Sequence, residues 1–344
     1  MQKEILTGGP LLNEKGNLVE AGYSRMMLKE YDRKKIKAGK LKIKEWDYYL
    51  VHDDKYAVCL TFDDNSYMGL NSVSIIDLVN GKEKTVSPMK FFTMGKRNLP
   101  SSSLKGDIEY KDAVSEVNFK FVPEGRILEF KLKNYHEEKD FECNFLLIEE
   151  PKESMVIHTP FEKEKHFYYN QKIVGFVVEG YFKVGDYQYN FSKEDTRAIL
   201  DWGRGVWTRD NVWYWGAGAG VVDGHEVGFN IGYGFGDTSA ASENAIFYDG
   251  KLHKLENVTF NIPQDENGKY SYLDKWTFTS SDGRFEMDFE PILNRSSFTD
   301  VKIIVSDQNQ VFGRFTGTMV LDDGTKIELK DFIGFAERVH NKWW

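Results

Sequence analysis

Asx-Gly pairs punctuate this chain, among them Asn80-Gly81, Asp223-Gly224, Asp249-Gly250, Asp282-Gly283 and Asp323-Gly324. Each lies between runs in which apolar and polar residues alternate. Such a pair is the strongest short-range hairpin signal, because a type I′ turn needs φ > 0 at both central residues. Around Asp282-Gly283, Trp276 and Phe278 alternate on one arm, and Phe285, Met287 and Phe289 on the other. Around Asp323-Gly324, Phe315–Leu321 faces Ile327-Glu328-Leu329. Helical periodicity is credible only near Ser24 to Ile36. Apolar strands at spacings of about 8–12 residues predict an all-β barrel or sandwich.

The chain has 344 residues, which favours two domains of roughly 150 residues over a single core. An internal repeat supplies the division. Lys44–Tyr49, a polar turn and Lys55–Thr61 are echoed by Trp213–Trp215, Asp223-Gly224 and Glu226–Asn230. Ser74–Lys82 parallels Asn244–Lys251. Gln171-Lys172-Ile173-Val174-Gly175-Phe176, then Gly180, parallels Gln310-Val311-Phe312-Gly313-Arg314-Phe315, then Gly317. Two copies of one β module explain these matches most economically. They give an N-terminal arm at 1–43, one module at 44–206 and a second at 207–344, with Asp201 and Glu337 as counterparts.

The net charge is −9 and no Lys/Arg-rich block occurs, so a nucleic-acid partner is not expected. No run of 18 apolar residues suggests a membrane span, and Met1-Gln2-Lys3-Glu4 does not open a secretory signal. Cys59 and Cys143 sit in alternating apolar runs and read as reduced core thiols, which points to the cytoplasm. The seven histidines are scattered, so neither a metal site nor a cofactor is expected.

At the joint between the repeats, Asp201-Trp202-Gly203-Arg204-Gly205-Val206-Trp207 is followed by Trp213-Tyr214-Trp215. Four of the eight tryptophans fall here. These residues, the run Gly228–Gly236, Glu243-Asn244 and the closing Gly334-Phe335-Ala336-Glu337 resemble the bacterial domain of unknown function family 2804. The resemblance covers nearly the whole chain. It implies a remote relation to the lipocalin-like proteins that include hydroxyneurosporene synthase, tocopherol cyclase and Diels–Alderases. It therefore implies two tandem lipocalin-like, calycin-type β modules with a ligand pocket in or between them. It transfers no catalytic residue.

The residues themselves nominate a site. In His225–Gly236, Val227, Phe229, Ile231, Tyr233 and Phe235 share one face, and Gly228, Asn230, Gly232 and Gly234 the other. The bare face either clears room for a ligand, with Asn230 as its polar handle, or admits a close neighbour such as Trp213 or Trp215. Asp201 with Arg204 is either an acid/base pair or a structural bridge. Glu337 with Arg338 is a second such pair, and Glu243 a carboxylate at a loop-to-strand junction. Asp288 and Glu290 read as an exposed hairpin face, and His253 as a structural or solvated strand histidine. Gly232–Gly236 lacks the context of a nucleotide loop, and no Gly-x-Ser-x-Gly elbow is present.

The catalytic candidates are therefore Asp201, Arg204, Glu243 and Glu337. The ligand-binding candidates are Trp202, Trp207, Trp213, Trp215, Asn230, Tyr233 and Asn244. The expected function is a cofactor-independent enzyme using acid/base chemistry on a small, largely apolar or unsaturated ligand, as hydratases, cyclases and isomerases do. The alternatives are a glycosidase with tryptophans stacked on sugar and a non-catalytic carrier of a lipid-like molecule.

Overall fold

In the computed structural model, residues 2–300 and 305–343 are described. The first sheet contains strands β1 (Ile43–His52), β2 (Tyr56–Asp64), β3 (Met68–Asp77), β4 (Lys82–Val86), β5 (Ile108–Lys111), β6 (Ser115–Val122), β7 (Gly125–His136), β8 (Lys139–Glu149), β9 (Phe167–Val184) and β10 (Arg197–Val206). Their order is β4-β3-β2-β1-β10-β9-β8-β7-β6-β5. The second contains β11 (Asp210–Val222), β12 (His225–Tyr233), β13 (Ala245–Tyr248), β14 (Lys251–Lys254), β15 (Val258–Asn261), β16 (Trp276–Ser280), β17 (Phe285–Asp300), β18 (Val305–Val320) and β19 (Lys326–Lys342). Their order is β14-β13-β12-β11-β19-β18-β17-β16-β15.

Along these paths the two orders match strand for strand, with β5 an added edge strand; the first sheet also takes in Gly22–Ser24, Met89–Phe91, Met155–Pro160 and the Tyr187–Phe191 hairpin arm that pairs with β9. In each sheet the first strand pairs antiparallel with the last, β1 with β10 and β11 with β19. The protein is thus all-β, with two tandem modules behind an N-terminal arm. The helix expected between Ser24 and Ile36 is absent. That stretch holds two short strands and a 3₁₀ turn at Arg33–Lys35, capped by Asp32. Tertiary contacts override its periodicity: Tyr31 and Arg33 are both drawn to the Glu45 carboxylate on β1.

Strand alternation sends successive side chains to opposite faces, and three apolar layers result. The concave face of the first sheet holds Phe130, Phe145, Tyr169 and Trp202. The sheet curls until the Tyr135 hydroxyl of β7 accepts from the Ile75 amide of β3 at 3.0 Å. The second sheet encloses Phe229, Trp276, Phe289 and Phe315. Between the sheets lies a seam of Tyr48, Tyr168, Val174, Trp215, Phe247 and Phe335. Cys59 is buried in the seam and Cys143 in the first interior, both unbridged. No helix among the described residues is long and apolar enough to cross a membrane.

Turn chemistry follows the sequence with one refinement. Asp223-Gly224 and Asp249-Gly250 have φ > 0 at both residues, as type I′ turns require. At Asp282-Gly283 and Asp323-Gly324 only the glycine is left-handed. There the Gly283 and Gly324 amides donate to the carbonyls of Ser280 and Leu321, giving longer loops with a glycine at the αL position.

Candidate functional site

The seam sets several of the candidate charges between two otherwise apolar faces. In each sheet the middle of the last strand contributes a carboxylate, Asp201 on β10 and Glu337 on β19. Asp201 lies opposite Tyr48 of β1 and Lys172 of β9. Glu337 lies opposite Trp215 of β11 and Gln310 of β18. Each carboxylate accepts an indole N–H from the first strand of its own sheet: Trp46 to Asp201 at 3.1 Å and Trp213 to Glu337 at 3.0 Å. Each also meets the opposed side chain of the neighbouring strand. Lys172 Nζ is 2.8 Å from Asp201 Oδ1, and Gln310 Nε2 donates to Glu337 Oε2 at 3.0 Å. Asn170 Nδ2 donates to Asp201 as well.

Glycines make this close packing possible. A Cβ at Gly203 would fall 1.9 Å from Cζ2 of Trp46, so the indole that reaches Asp201 lies directly over a bare strand position. On β12 the bare face turns to the seam. A Cβ on Gly228 would meet Val174 at 2.6 Å, and one on Gly232 would meet Glu243 Oε1 at 2.4 Å. The bare face thus admits close neighbours, Val174 at Gly228 and the Glu243 carboxylate at Gly232.

Glu243 comes from the loop between β12 and β13. Gly234, at φ +91°, starts that loop in a conformation other residues resist. Asn230 Nδ2 donates to the Glu243 carbonyl at 2.9 Å. Lys254 Nζ donates to the flanking carbonyls of Ser242 and Asn244 at 2.8 and 2.6 Å. Three successive carbonyls are therefore held by buried side chains. The Glu243 carboxylate reaches back to 4.0 Å from Lys172 Nζ, which also lies 3.9 Å from the Trp215 ring centroid. The Trp215 indole N–H donates to Asn230 at 2.8 Å, closing the network. Glu243, Tyr168, Gly232, Tyr233, Phe235 and Thr238 line a narrow cleft at the seam edge.

Burial dominates the proton affinities here. It pushes Glu337 up to about 7, with Trp213, Arg295 and Lys172 opposing and Asp201 reinforcing. Burial also raises Glu243, against Lys172 and with Asp201. Tyr168 is held well above the ordinary tyrosine value by burial and by Glu243, Asp201 and Glu337, so it is a neutral phenol. One ammonium, Lys172, thus stands among three carboxylates, two of which are biased toward the protonated form.

The structure rearranges several sequence candidates. Asp201 and Arg204 do not pair. They are three residues apart on one strand and face opposite ways. Arg204 Nη2 sits 2.9 Å from Asp47 inside the first module, over the Trp202 ring. Trp202, fully buried in that interior, is likewise remote from the seam face. Arg338 points away from Glu337 and lies over Tyr270. Asn244 is a structural clamp, accepting from the Gly232 amide and donating to the Glu256 carbonyl. Tyr233 stacks on Tyr214 at 4.5 Å and offers an edge to the cleft. Trp207 packs edgewise on Trp46 and Phe235. Asp288 and Glu290 are exposed, and His253 meets Asp322 at 3.2 Å. Lys172, Trp46, Tyr168 and Gln310 were not among the candidates. The available signal was Lys172 itself, a charge inside an apolar strand-like run; the repeat set its neighbour Gln171 against Gln310, and the strand registers shift that match by one, Lys172 lying opposite Asp201 as Gln310 lies opposite Glu337. Among the described residues, no group of three or more His, Cys, Asp or Glu side chains is placed to hold a metal ion.

The model of the domain of unknown function family DUF2804 matches residues 2–343. The chain belongs to that family. No curated protein matches it in sequence. Among solved structures, kievitone hydratase from Nectria haematococca superposes with a TM-score of 0.51 at 9% identity, over 87% of this chain and 88% of that one. An AttH candidate from Nitrosomonas europaea superposes with a TM-score of 0.50 at 12% identity, over 86% and 92%. At these identities the likeness is one of fold, and it extends over both modules of this DUF2804 member.

Proposed function

We propose that the seam is an acid/base catalytic site, and that the protein is a cofactor-independent enzyme of hydratase, cyclase or isomerase type. Its ligand is small and largely apolar or unsaturated. One observation carries the reading. The Glu243 side chain is 15% exposed, its surroundings favour its protonated form, it lines an aromatic cleft, and its Oε2 has no hydrogen-bond partner. A carboxyl that has no hydrogen bond at Oε2, has Lys172 Nζ 4.0 Å away and lines a cleft is poised to give its proton away. A fold shared with a hydratase is in keeping with this reading, at the level of analogy.

In the hydration direction, the Glu243 carboxyl protonates one carbon of a C=C bond. Charge then develops on the other carbon, beside the rings of Tyr168 and Phe235, which stabilise cations through their π faces. Water adds its oxygen to that carbon, and the one proton it sheds returns to the Glu243 carboxylate, restoring the acid. The Asp201–Lys172 pair holds the charge balance steady throughout. Cyclisation and isomerisation use the same first step.

The aromatic arrangement speaks against the glycosidase alternative. Trp46 is stacked on Tyr168, Trp213 meets Phe235 edgewise, and Trp215 is covered by Lys172, so their faces are occupied. The packed interiors of both modules speak against a carrier that holds its cargo in a lumen. Module limits of 44–206 and 207–344, after an arm at 1–43, belong to the same proposal. So does the lipocalin-like ancestry, and so does a cytoplasmic setting, which two buried unbridged thiols fit. A thermal-shift screen of apolar alkenes and their corresponding alcohols tests the reading, followed by turnover of the hits in D₂O. Carbon-bound deuterium in the product is the expected result. Hits that stabilise the protein yet return unchanged would leave it a binder.

A further inference from the structure

The two modules present one arrangement twice, an aspartate with an added Asn170 donor in the first and a glutamate in the second, and they differ in the charge of the residue opposite. A carboxylate on the last strand accepts an indole N–H at 3.1 Å in one module and 3.0 Å in the other. Each then meets the opposed residue of the neighbouring strand. For Asp201 that residue is an ammonium, Lys172, and for Glu337 it is an amide, Gln310. An amide donates a hydrogen bond to a carboxylate and compensates none of its charge. Gln310 Oε1 is itself buried without a hydrogen-bond partner, on the same amide whose Nε2 donates to Glu337.

We propose that the Lys172/Gln310 difference divides the labour between equivalent carboxylates, making Asp201 the ion-paired member and Glu337 the group that stores the second transferable proton of the seam. The proposal rests on the acid/base reading of the site and adds to it which carboxylate holds the reserve. In a duplicated site, two like groups in unlike surroundings are how acid and base roles are separated.

The groups that face Glu337 agree with this assignment. Lys172 of β9 and Arg295 of β17 oppose its protonation, and Asp201 of β10 favours it. Tyr48 of β1, Cys59 of β2 and Tyr168 of β9 also sense its charge. All three are themselves held in their neutral forms, so they offer no compensating cation. Burial then outweighs the two cations, neither of which is in the direct contact that Lys172 makes with Asp201.

The protonated carboxyl stretch, followed by infrared spectroscopy of the full ligand-free chain from about pH 5 to pH 9, tests this directly. A signal with its midpoint near 7 should disappear in Glu337→Gln and persist in Glu243→Gln. Gln310→Lys, which copies the first module into the second, should move that midpoint down by about one pH unit or more. Trp213→Phe removes a donor to the carboxylate and should move it up, which decides the matter even if Gln310→Lys fails to fold. A near-neutral signal untouched in Glu337→Gln, or a midpoint unmoved by Gln310→Lys or Trp213→Phe, would overturn the assignment. Because no substrate is involved, that failure is separate from a failure of Glu243 as proton donor, which only turnover reads.

Discussion

Replacing Glu337 with glutamine should flatten the dependence of stability on pH. Burial raises the Glu337 carboxyl from 4.5 to about 7 in the folded protein. A group whose folded value exceeds its unfolded value costs nothing below the unfolded value. Its penalty grows as pH rises from about 4.5 and is complete once pH passes about 7. At about 1.4 kcal/mol per unit, the full penalty is roughly 3 kcal/mol. Glutamine keeps the shape and can accept from Trp213. Its amide can donate to Gln310 Oε1, which has no partner. Urea unfolding at about pH 5 and about pH 8 measures both arms. Glu337→Gln should match the wild type near pH 5 and exceed it by about 2–3 kcal/mol near pH 8. Equal pH dependence in the two proteins would refute the argument that Glu337 is buried with its charge uncompensated.

Lys172→Met removes the ammonium between Asp201 and Glu243 and should lower stability by about 3–5 kcal/mol at neutral pH. The loss should shrink on acidification, because protonation then neutralises the stranded carboxylates. Asp47→Asn leaves the buried Arg204 guanidinium without its counter-ion and should cost a similar amount, yet leave the Glu337 infrared midpoint unchanged, since that pair lies in the first interior and not the seam. Gly203→Ala places a methyl against the Trp46 ring and should cost about 1–3 kcal/mol or more, with a shift in tryptophan emission as the indole moves off Asp201.

Much of the fold was legible because its signals are local. Asx-Gly pairs and alternating runs each need only a few neighbouring residues, and the repeat follows from comparing one half with the other. The Ser24–Ile36 stretch misled because its apolar spacing serves contacts with β1 and not a helix of its own. The site was legible in part. Asp201, Glu243, Glu337, Trp213, Trp215 and Asn230 meet in the seam. Arg204 could have been set aside by the period of two, since residues three apart on a strand face opposite ways, and the same rule separates Trp202 from Asp201 and Arg338 from Glu337. Lys172 was harder to see. Its partnership with Asp201 depends on the register between β9 and β10, which are joined through an intervening hairpin. No sequence spacing states that register, although the repeat had already aligned its segment with the one that carries Gln310.

The central claim is that Glu243 gives a proton to a ligand in the seam cleft. The most direct measurement is kcat/KM of Glu243→Gln on a substrate found by the alkene and alcohol screen, taken together with its melting temperature. Glutamine preserves volume and hydrogen-bonding shape but carries no transferable proton. A fall of about 100-fold or more in kcat/KM is expected, with a melting temperature within a few degrees of the wild type. Activity within a few-fold of wild type in a well-folded Glu243→Gln protein would contradict it.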